Sequence, residues 1–447
     1  MKPMSIAVIG SGIAALSAAW LLSKHHRVTV FEKEARIGGH SNTVDVPTPD
    51  GSVPVDTGFI VFNPASYPNL VALFDHLEVE TSETAMTFAA SLNNGGYEYS
   101  GSGARGLFGQ ISNLVSTSHW RMLCDIQRFF KQAELEAHDL RPDTSMADWL
   151  RQNNYSKAFI DNHLQPMAAA IWSTPAACVL EFPAVSFLRF FANHGLLKVR
   201  NRPNWRTVVS GSRQYLQKML EDGKLEVRLA SAVKSIHRQQ DSVIIHDILG
   251  KKHTFDHVVI GAHADEALAM LDDADELECN LLKQFTYSQN RTILHTDRSQ
   301  MPKRKHLWSS WNYIERADNA GENQLTVSYW MNRLQPLKTS TDMFVTLNPA
   351  RQIDPAKVLA QFTYSHPVFN ASAMNAQRDL WELQGRRRTW FCGSYFGYGF
   401  HEDALQSGLA VAEDLAAISR PWQVENADFR IHRKPVCSPG VLREAAE

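Results

Sequence analysis

SIAVIGSGIAALSAAWLLSKHHRVTVFEKEARIGG, residues Ser5–Gly39, decides the fold. Ser5–Ile9 is a short apolar run of strand type, and Gly10-Ser11-Gly12-Ile13-Ala14-Ala15 opens an Ala- and Leu-rich helical stretch to about His25. Gly10 permits a tight turn, Gly12 lets a pyrophosphate approach the backbone, and the small Ala15 lets helix pack closely on strand. The free N–H groups at the helix start then face the phosphates, where the macrodipole also favours negative charge. Arg27–Phe31 supplies the next strand, and Glu32, about 20 residues beyond the turn, is placed to accept from ribose hydroxyls. The order predicts a dinucleotide site, and an acid at Glu32 argues against a ribose 2′-phosphate there.

The rest of the chain sets limits. At 447 residues it is long for one simple domain and predicts two lobes sharing a large core. A hydrophobic fraction of 44% with 21% charged residues is ordinary for a soluble globular protein, and a net charge of -2 supplies no general pull toward nucleic acid or an anionic membrane. The basic runs Lys303-Arg304-Lys305 and Arg386-Arg387-Arg388 read most simply as solvated faces or loops. Cys124, Cys178, Cys279, Cys392 and Cys437 contain no CxxC pair and are odd in number, so neither a disulfide framework nor a metal site is expected and a reducing cytoplasm fits best. No signal peptide and no apolar run of about 18 residues is visible.

Asp45–Val61 reads as a hairpin or loop, and residues from about Pro68 to Glu83 mix helical and strand signals. Leu107 to Leu135 shows mostly helical spacing, and Ser145 with Asp148 marks a capped helix start. Phe182 to Val199, dense in Phe and including Phe187, Phe190 and Phe191, reads as a buried helix, with the wall of an apolar tunnel or a lipid-dipping patch as alternatives. A second α/β signature follows Ser210-Gly211: a helix from Arg213, then strands near Leu225, Val233, Val243 and Phe255 to Ile260, with Gly261-Ala262 at the strand end. Gln284 to Pro349 alternates like an antiparallel meander. Thr389–Cys392, Gly393–Gly399 and Glu402–Ile418 repeat the strand, glycine turn and helix order, and residues after Pro421 read as a tail laid over the surface.

Three separated segments together resemble the flavin-containing amine oxidase and phytoene desaturase superfamily. The first is Gly10–Gly39, where Arg36, Gly38 and Gly39 follow the acidic strand end, with Lys33 between them. The second runs from Ser210-Gly211 through Val233 to Ala262, with Val233 at the position whose backbone contacts the adenine in such proteins. The third is Phe391–Ala404, which resembles the C-terminal flavin motif and includes Gly393, Ser394, Gly399, Phe400 and His401. The resemblance implies noncovalent FAD and a GR2-type, Rossmann-like α/β fold with an interleaved α+β substrate-binding domain on an antiparallel sheet. It implies a discontinuous FAD-binding domain (1–66, 200–270 and 385–420), a substrate-binding domain with a helical part (67–199 and 271–384) and a C-terminal tail (421–447). His40 stands where many amine oxidases have arginine, and Ser41 follows it. The combination of residues 39–43, 56–59 and 397–403 looks more like a bacterial branch that modifies fatty acyl chains of phospholipids, including steps toward furan fatty acids.

Flavin chemistry needs an oriented C–H bond and an apolar cavity. His401 and Glu402 are the titratable groups expected near the flavin ring, His401 either moving a proton or fixing the flavin by a hydrogen bond. Tyr395 and Trp330 are the expected substrate-face residues, with Tyr67, Trp172 and Tyr398 as further aromatic candidates. Asp56 reads more simply as a turn anchor. The leading expectation is hydride removal from an apolar, fatty acyl substrate, with transient peripheral contact at the inner membrane face and lipid-modifying enzymes as partners. An amine oxidase producing hydrogen peroxide and a catalytically silent binding or scaffold flavoprotein are the alternatives.

Overall fold

The computed structural model describes residues 2–136, 140–141, 144–172, 180–193, 196–197, 203–317 and 323–435. Five parallel strands lie in the order Thr389–Phe391, His257–Ile260, Ser5–Ile9, Arg27–Phe31 and Leu225–Arg228, so three distant parts of the chain build one sheet. Central strands of a parallel sheet are covered on both faces, and Ile6, Ala7, Val8, Val258, Val259 and Ile260 are all buried.

Every residue of the helix Ile13–Leu22 is buried, so it is apolar all round rather than on one stripe. The reason is a second helix, His401–Ala416, packed across it. A Cβ on Gly408 would lie 2.1 Å from the Ala14 carbonyl oxygen, so only glycine admits this approach. On the sheet side, a Cβ on Gly261 would meet Ala15 at 2.5 Å.

The second large sheet has seven strands: Val358–Val368, Thr286–His295, Phe344–Leu347, Asn323–Trp330, Trp311–Ala317, Phe88–Leu92 and Tyr97–Ser100. It is antiparallel except where Trp311–Ala317 meets Phe88–Leu92, so the expected meander recruits an earlier segment as well. Antiparallel hairpins Thr43–Thr48/Gly51–Asp56 and Val233–Arg238/Val243–Asp247 match the extended readings, and Ser145 caps its helix by accepting from the Asp148 N–H. Pro68–His76 is helical and Thr81–Thr84 is a strand.

Two expectations change. The helical run from Leu107 breaks into Gly103–Leu107, a single turn at Ile111–Leu114 and the long helix Thr117–Glu136, because Asn113 turns inward and bonds the backbone of Glu98 and Leu107. The segment after Pro421 is more than a surface tail as far as residue 435. Arg430 is buried, pairs with Asp403 and donates to the Ser66 carbonyl oxygen. Phe187, Phe190 and Phe191 lie on the helix Ala184–Asn193 as buried core, while residues 194–195 and 198–199 of that predicted helix fall outside the described residues. So do Cys178 and Cys437.

Candidate functional site: a dinucleotide cradle between two helix starts

Gly10 turns the chain with φ +95°, and the first bond inside the following helix runs from the Leu16 N–H to the Gly12 carbonyl at 2.9 Å. The N–H groups of Ile13, Ala14 and Ala15 precede it and need partners from elsewhere. Gly12 supplies no side-chain cap, and a Cβ placed on it meets no atom within 4 Å. Here is open space in front of unsatisfied donors, which suits a diphosphate. Gly39, with φ +56°, closes the cradle: its Cβ would lie 3.3 Å from the Gly12 Cα.

Glu32 ends its strand beside this turn. The Ser11 hydroxyl donates to one of its carboxylate oxygens and the Glu34 N–H to the other, at 2.8 Å. Ser11 in turn accepts from the Gly38 N–H at 3.0 Å, tying Glu32, the glycine turn and the Gly38-Gly39 pair together. The Ser231 N–H donates to the Glu32 carbonyl at 2.8 Å, which brings the chain just before Val233 to the same place. Ala262 follows Gly261 at the end of the neighbouring strand, 3.8 Å from where a Gly10 Cβ would be. Arg36 donates to the Ile37 carbonyl, at 3.4 Å. Lys33 is committed elsewhere, in a surface ion pair with Glu266 at 2.7 Å.

The segments 40–43 and 56–59 are bonded to one another. The Thr57 N–H donates to the Asn42 carbonyl at 2.9 Å and the Phe59 N–H to the His40 carbonyl at 2.8 Å. Asp56 is the clasp: it accepts from the Thr43 hydroxyl (2.6 Å), the Ser212 N–H and hydroxyl, and the Gln335 amide (2.8 Å). Burial pushes its pKa up to about 6 against those hydrogen bonds, and its role is the structural one.

His40 is half-buried, with its Nε2 atom shielded and unpartnered, and its ring lies 4.9 Å from Tyr364 and 5.3 Å from His366. Burial first, then His366, His263, His401 and Arg36, hold its pKa well below the usual histidine value. His366 is pushed down to about 4 by burial and His263. A buried ring nitrogen without a partner, one residue from the Gly39–Gly12 contact, is a polar atom that an incoming cofactor would satisfy.

The opposite end is built by the turn 393–400. Gln377 donates to the carbonyls of Tyr395 and Gly397, the Gly399 N–H reaches the Ser394 carbonyl at 3.1 Å, and the Gly393 N–H reaches the Ser407 hydroxyl at 2.9 Å. The Phe400 N–H donates to Asp403 at 2.7 Å as the helix begins. His401 then lies flat on Phe59, with Nε2 at 2.8 Å from the Tyr215 hydroxyl and 3.1 Å from the Ser41 hydroxyl. Burial pushes its pKa down to about 3, so it is neutral near pH 7 and acts as a hydrogen-bonding post.

Three expected catalytic positions are corrected by the geometry. Glu402 is fully buried and accepts from the N–H groups of Asn69 and Leu70 and the side chains of Asn69 and Gln406, all at 3.0 Å, so it caps the helix Pro68–His76. Tyr395 packs into the core against Phe285 and Phe396 with its hydroxyl unpartnered. Trp330 packs on Trp308 and Phe344 (a separate cluster), on the face of the seven-stranded sheet opposite to Tyr329 and the hairpin valines 46, 53 and 55. Tyr67 lies in the core under Arg430, Tyr398 packs beside Phe190, and the Trp172 side chain lies outside the described residues. Tyr215, Phe59, Tyr364 and His366 were missed. Tyr215 and the strand residues carry no local signal, but Phe59 sits in the quoted Asp56–Phe59 run.

A cradle for a diphosphate, a buried ribose acceptor and a second helix start beyond them define a dinucleotide-dependent oxidoreductase of the flavin type. The profile of the flavin-containing amine oxidoreductase family matches residues 13–416, and the chain belongs to that family. No curated protein sequence matches the chain. Among solved structures it is similar to putrescine oxidase bound to putrescine (15% identity, TM-score 0.66) and cyclohexylamine oxidase from Brevibacterium oxydans IH-35A (14%, 0.64). It is also similar to a fatty acid isomerase from P. acnes that produces CLA (16%, 0.62). The matches cover 93% of this chain, with 99% of putrescine oxidase and the isomerase and all of cyclohexylamine oxidase. At these identities the likeness is one of fold. The protein is an FAD-dependent oxidoreductase. Gly12–Ala15, Glu32, Gly39 and His40 are the residues that fit the cofactor, and Cys392, fully buried at the end of its strand, has its thiol pKa raised by burial and is poorly suited to a covalent link.

Proposed function

We propose that this oxidase acts on an apolar chain, of the fatty acyl class, rather than on an amine. The observation that carries the reading is the wall beside His401. Phe400 stacks on Phe190 at 4.9 Å, and Phe190 belongs with Phe187 and Phe191 to the apolar core of the helical part. Phe59 covers the His401 ring on one side. Buried carboxylates that would attract an ammonium are already engaged: Asp56 by Thr43, Ser212 and Gln335, Glu402 by Asn69, Leu70 and Gln406, and Asp403 by Phe400 and Arg430.

FAD, when bound, takes up the hydride. The chain's own part is to hold the cofactor at both ends, keep His401 neutral and fixed through Tyr215 and Ser41, and present apolar walls that exclude water. The family description and the fold likeness to putrescine and cyclohexylamine oxidases favour amine oxidation as the second reading. Anaerobic mixing of the purified flavoprotein with unsaturated phospholipid and, separately, with putrescine tests the choice. Bleaching of the flavin by lipid alone is expected, and bleaching by putrescine alone would reverse the assignment.

A further inference from the structure

Residues 108–121 invert the usual placement of polar and apolar side chains. Asn113 is 1% exposed and donates to the Glu98 carbonyl at 2.9 Å, whereas Ile111, Leu114 and Val115 around it are 81%, 50% and 84% exposed. Trp120 is 48% exposed, with Nε1 donating to the Leu114 carbonyl at 2.9 Å and its ring 5.0 Å from Phe108. The loop is braced from beneath. Gln110 accepts from the Glu98 N–H and donates to the Gly96 carbonyl, both at 2.7 Å, and His306 Nε2 lies 3.0 Å from the Gly109 carbonyl oxygen. A braced tip of aliphatic side chains with one tryptophan therefore stands in water, where such a cluster is costly.

Its rim is cationic. Arg105, Arg121, Lys303, Lys305 and His306 are exposed, and residues 99–124 contain no Asp or Glu. Glu98 is buried and neutralised by Arg304. The basic run is brought to the base of the loop, since Lys303 packs over Gly95 beside the Gly96 that Gln110 bonds, and His306 and Leu307 meet Gly109, a juxtaposition absent from the linear sequence. Apolar tips flanked by Lys and Arg, with a tryptophan at their base, match the depth profile of a bilayer interface with anionic headgroups.

We propose that the 108–121 loop docks this protein on an anionic phospholipid bilayer, Ile111, Leu114, Val115 and Trp120 entering the interface while Arg105, Arg121, Lys303 and Lys305 meet the headgroups. Docking goes beyond the substrate reading and stands whether the flavin oxidises a lipid or an amine. It also puts the lipid-facing patch elsewhere than the alternative reading of Phe182–Val199, where Phe187, Phe190 and Phe191 are buried.

The test is co-sedimentation of the flavin-loaded protein with vesicles of phosphatidylcholine alone and of phosphatidylcholine with phosphatidylglycerol. Expected is strong pelleting with the anionic vesicles only, reduced about tenfold or more in an Ile111→Ser, Val115→Ser double variant whose flavin absorbance and unfolding temperature match the parent. Trp120→Phe should remove a lipid-induced blue shift from the fluorescence. Unchanged pelleting of the double variant, or no pelleting of the parent at low salt, would overturn the proposal. So would a concentration-dependent dimer by sedimentation velocity that the double variant abolishes in the absence of lipid, since the tip would then pair with a second copy.

Discussion

The His401 ring lies on the Phe59 ring with centroids 3.8 Å apart and planes 6° from parallel. This stacking joins the glycine-rich motif near the C-terminus to the turn after the first hairpin, and it shields one face of the His401 ring from water. Its folded pKa of about 3 lies far below the 6.5 of a free histidine. Below pH 6.5 the unfolded chain takes up a proton that the folded chain refuses, so stability falls as pH falls, down to about pH 3. His366, held at about 4, adds in the same direction. Thermal unfolding followed from about pH 7 to pH 4 should show this loss, with a shallower slope in His401→Asn. Equal slopes would show that His401 takes up its proton in the folded protein as readily as in the unfolded chain.

Glu402→Gln should cost stability rather than chemistry. Its carboxylate meets three donors at the start of Pro68–His76 and a fourth from Gln406 on its own helix, and an amide cannot accept them all. A loss of about 1.5–3 kcal/mol by chemical denaturation is expected, with turnover per bound flavin within a few-fold of the parent. A fall of about 100-fold or more in turnover would restore Glu402 as an acid or base.

Gly12→Ala separates cofactor binding from folding. The added methyl has free space in the protein itself and blocks the approach of a diphosphate. Flavin content after purification should drop sharply, while the flavin-free protein unfolds within about 0.5 kcal/mol of the flavin-free parent.

Gly408→Ala tests the crossing of the two long helices. A methyl 2.1 Å from the Ala14 carbonyl oxygen and 2.2 Å from the Ser17 hydroxyl forces the helices apart. Destabilisation of about 1–3 kcal/mol or more is expected, together with weakened FAD retention as the Gly12 turn shifts.

Asp56→Ala strands buried donors on Ser212 and Gln335. The expected cost is about 1–3 kcal/mol, read as a lower denaturation midpoint, whereas an unchanged midpoint would show that water replaces the carboxylate.

Much of the parallel sheet was legible because its strands are continuous apolar runs flanked by glycine turns, a pattern set within a few residues. Glu32 and Gly39 could be placed beside the glycine turn for the same reason, and the fold holds them there. The mostly helical reading of Leu107–Leu135 holds but is interrupted before Thr117, because Asn113 found backbone partners on Glu98 and Leu107, a competition that helical periodicity does not register. Trp330 illustrates a different limit. Aromatic content marks a sheet, but which face a residue occupies follows from pairing with Phe344 and its neighbours.

By itself the sequence marked a dinucleotide turn, since Gly10, Gly12 and Ala15 act through local backbone geometry with the Glu32 carboxylate beside them, and the resemblance of three separated segments made that dinucleotide FAD. Only the tertiary structure decided how the residues of the other end meet, and added Tyr215 and Phe59 to them. Tyr215, Ser41, Phe59 and His401 are far apart in the chain, and burial among them, not residue type, turns a titratable histidine into a neutral post. The same holds for Glu402, which becomes a cap because a helix from residue 68 begins against it.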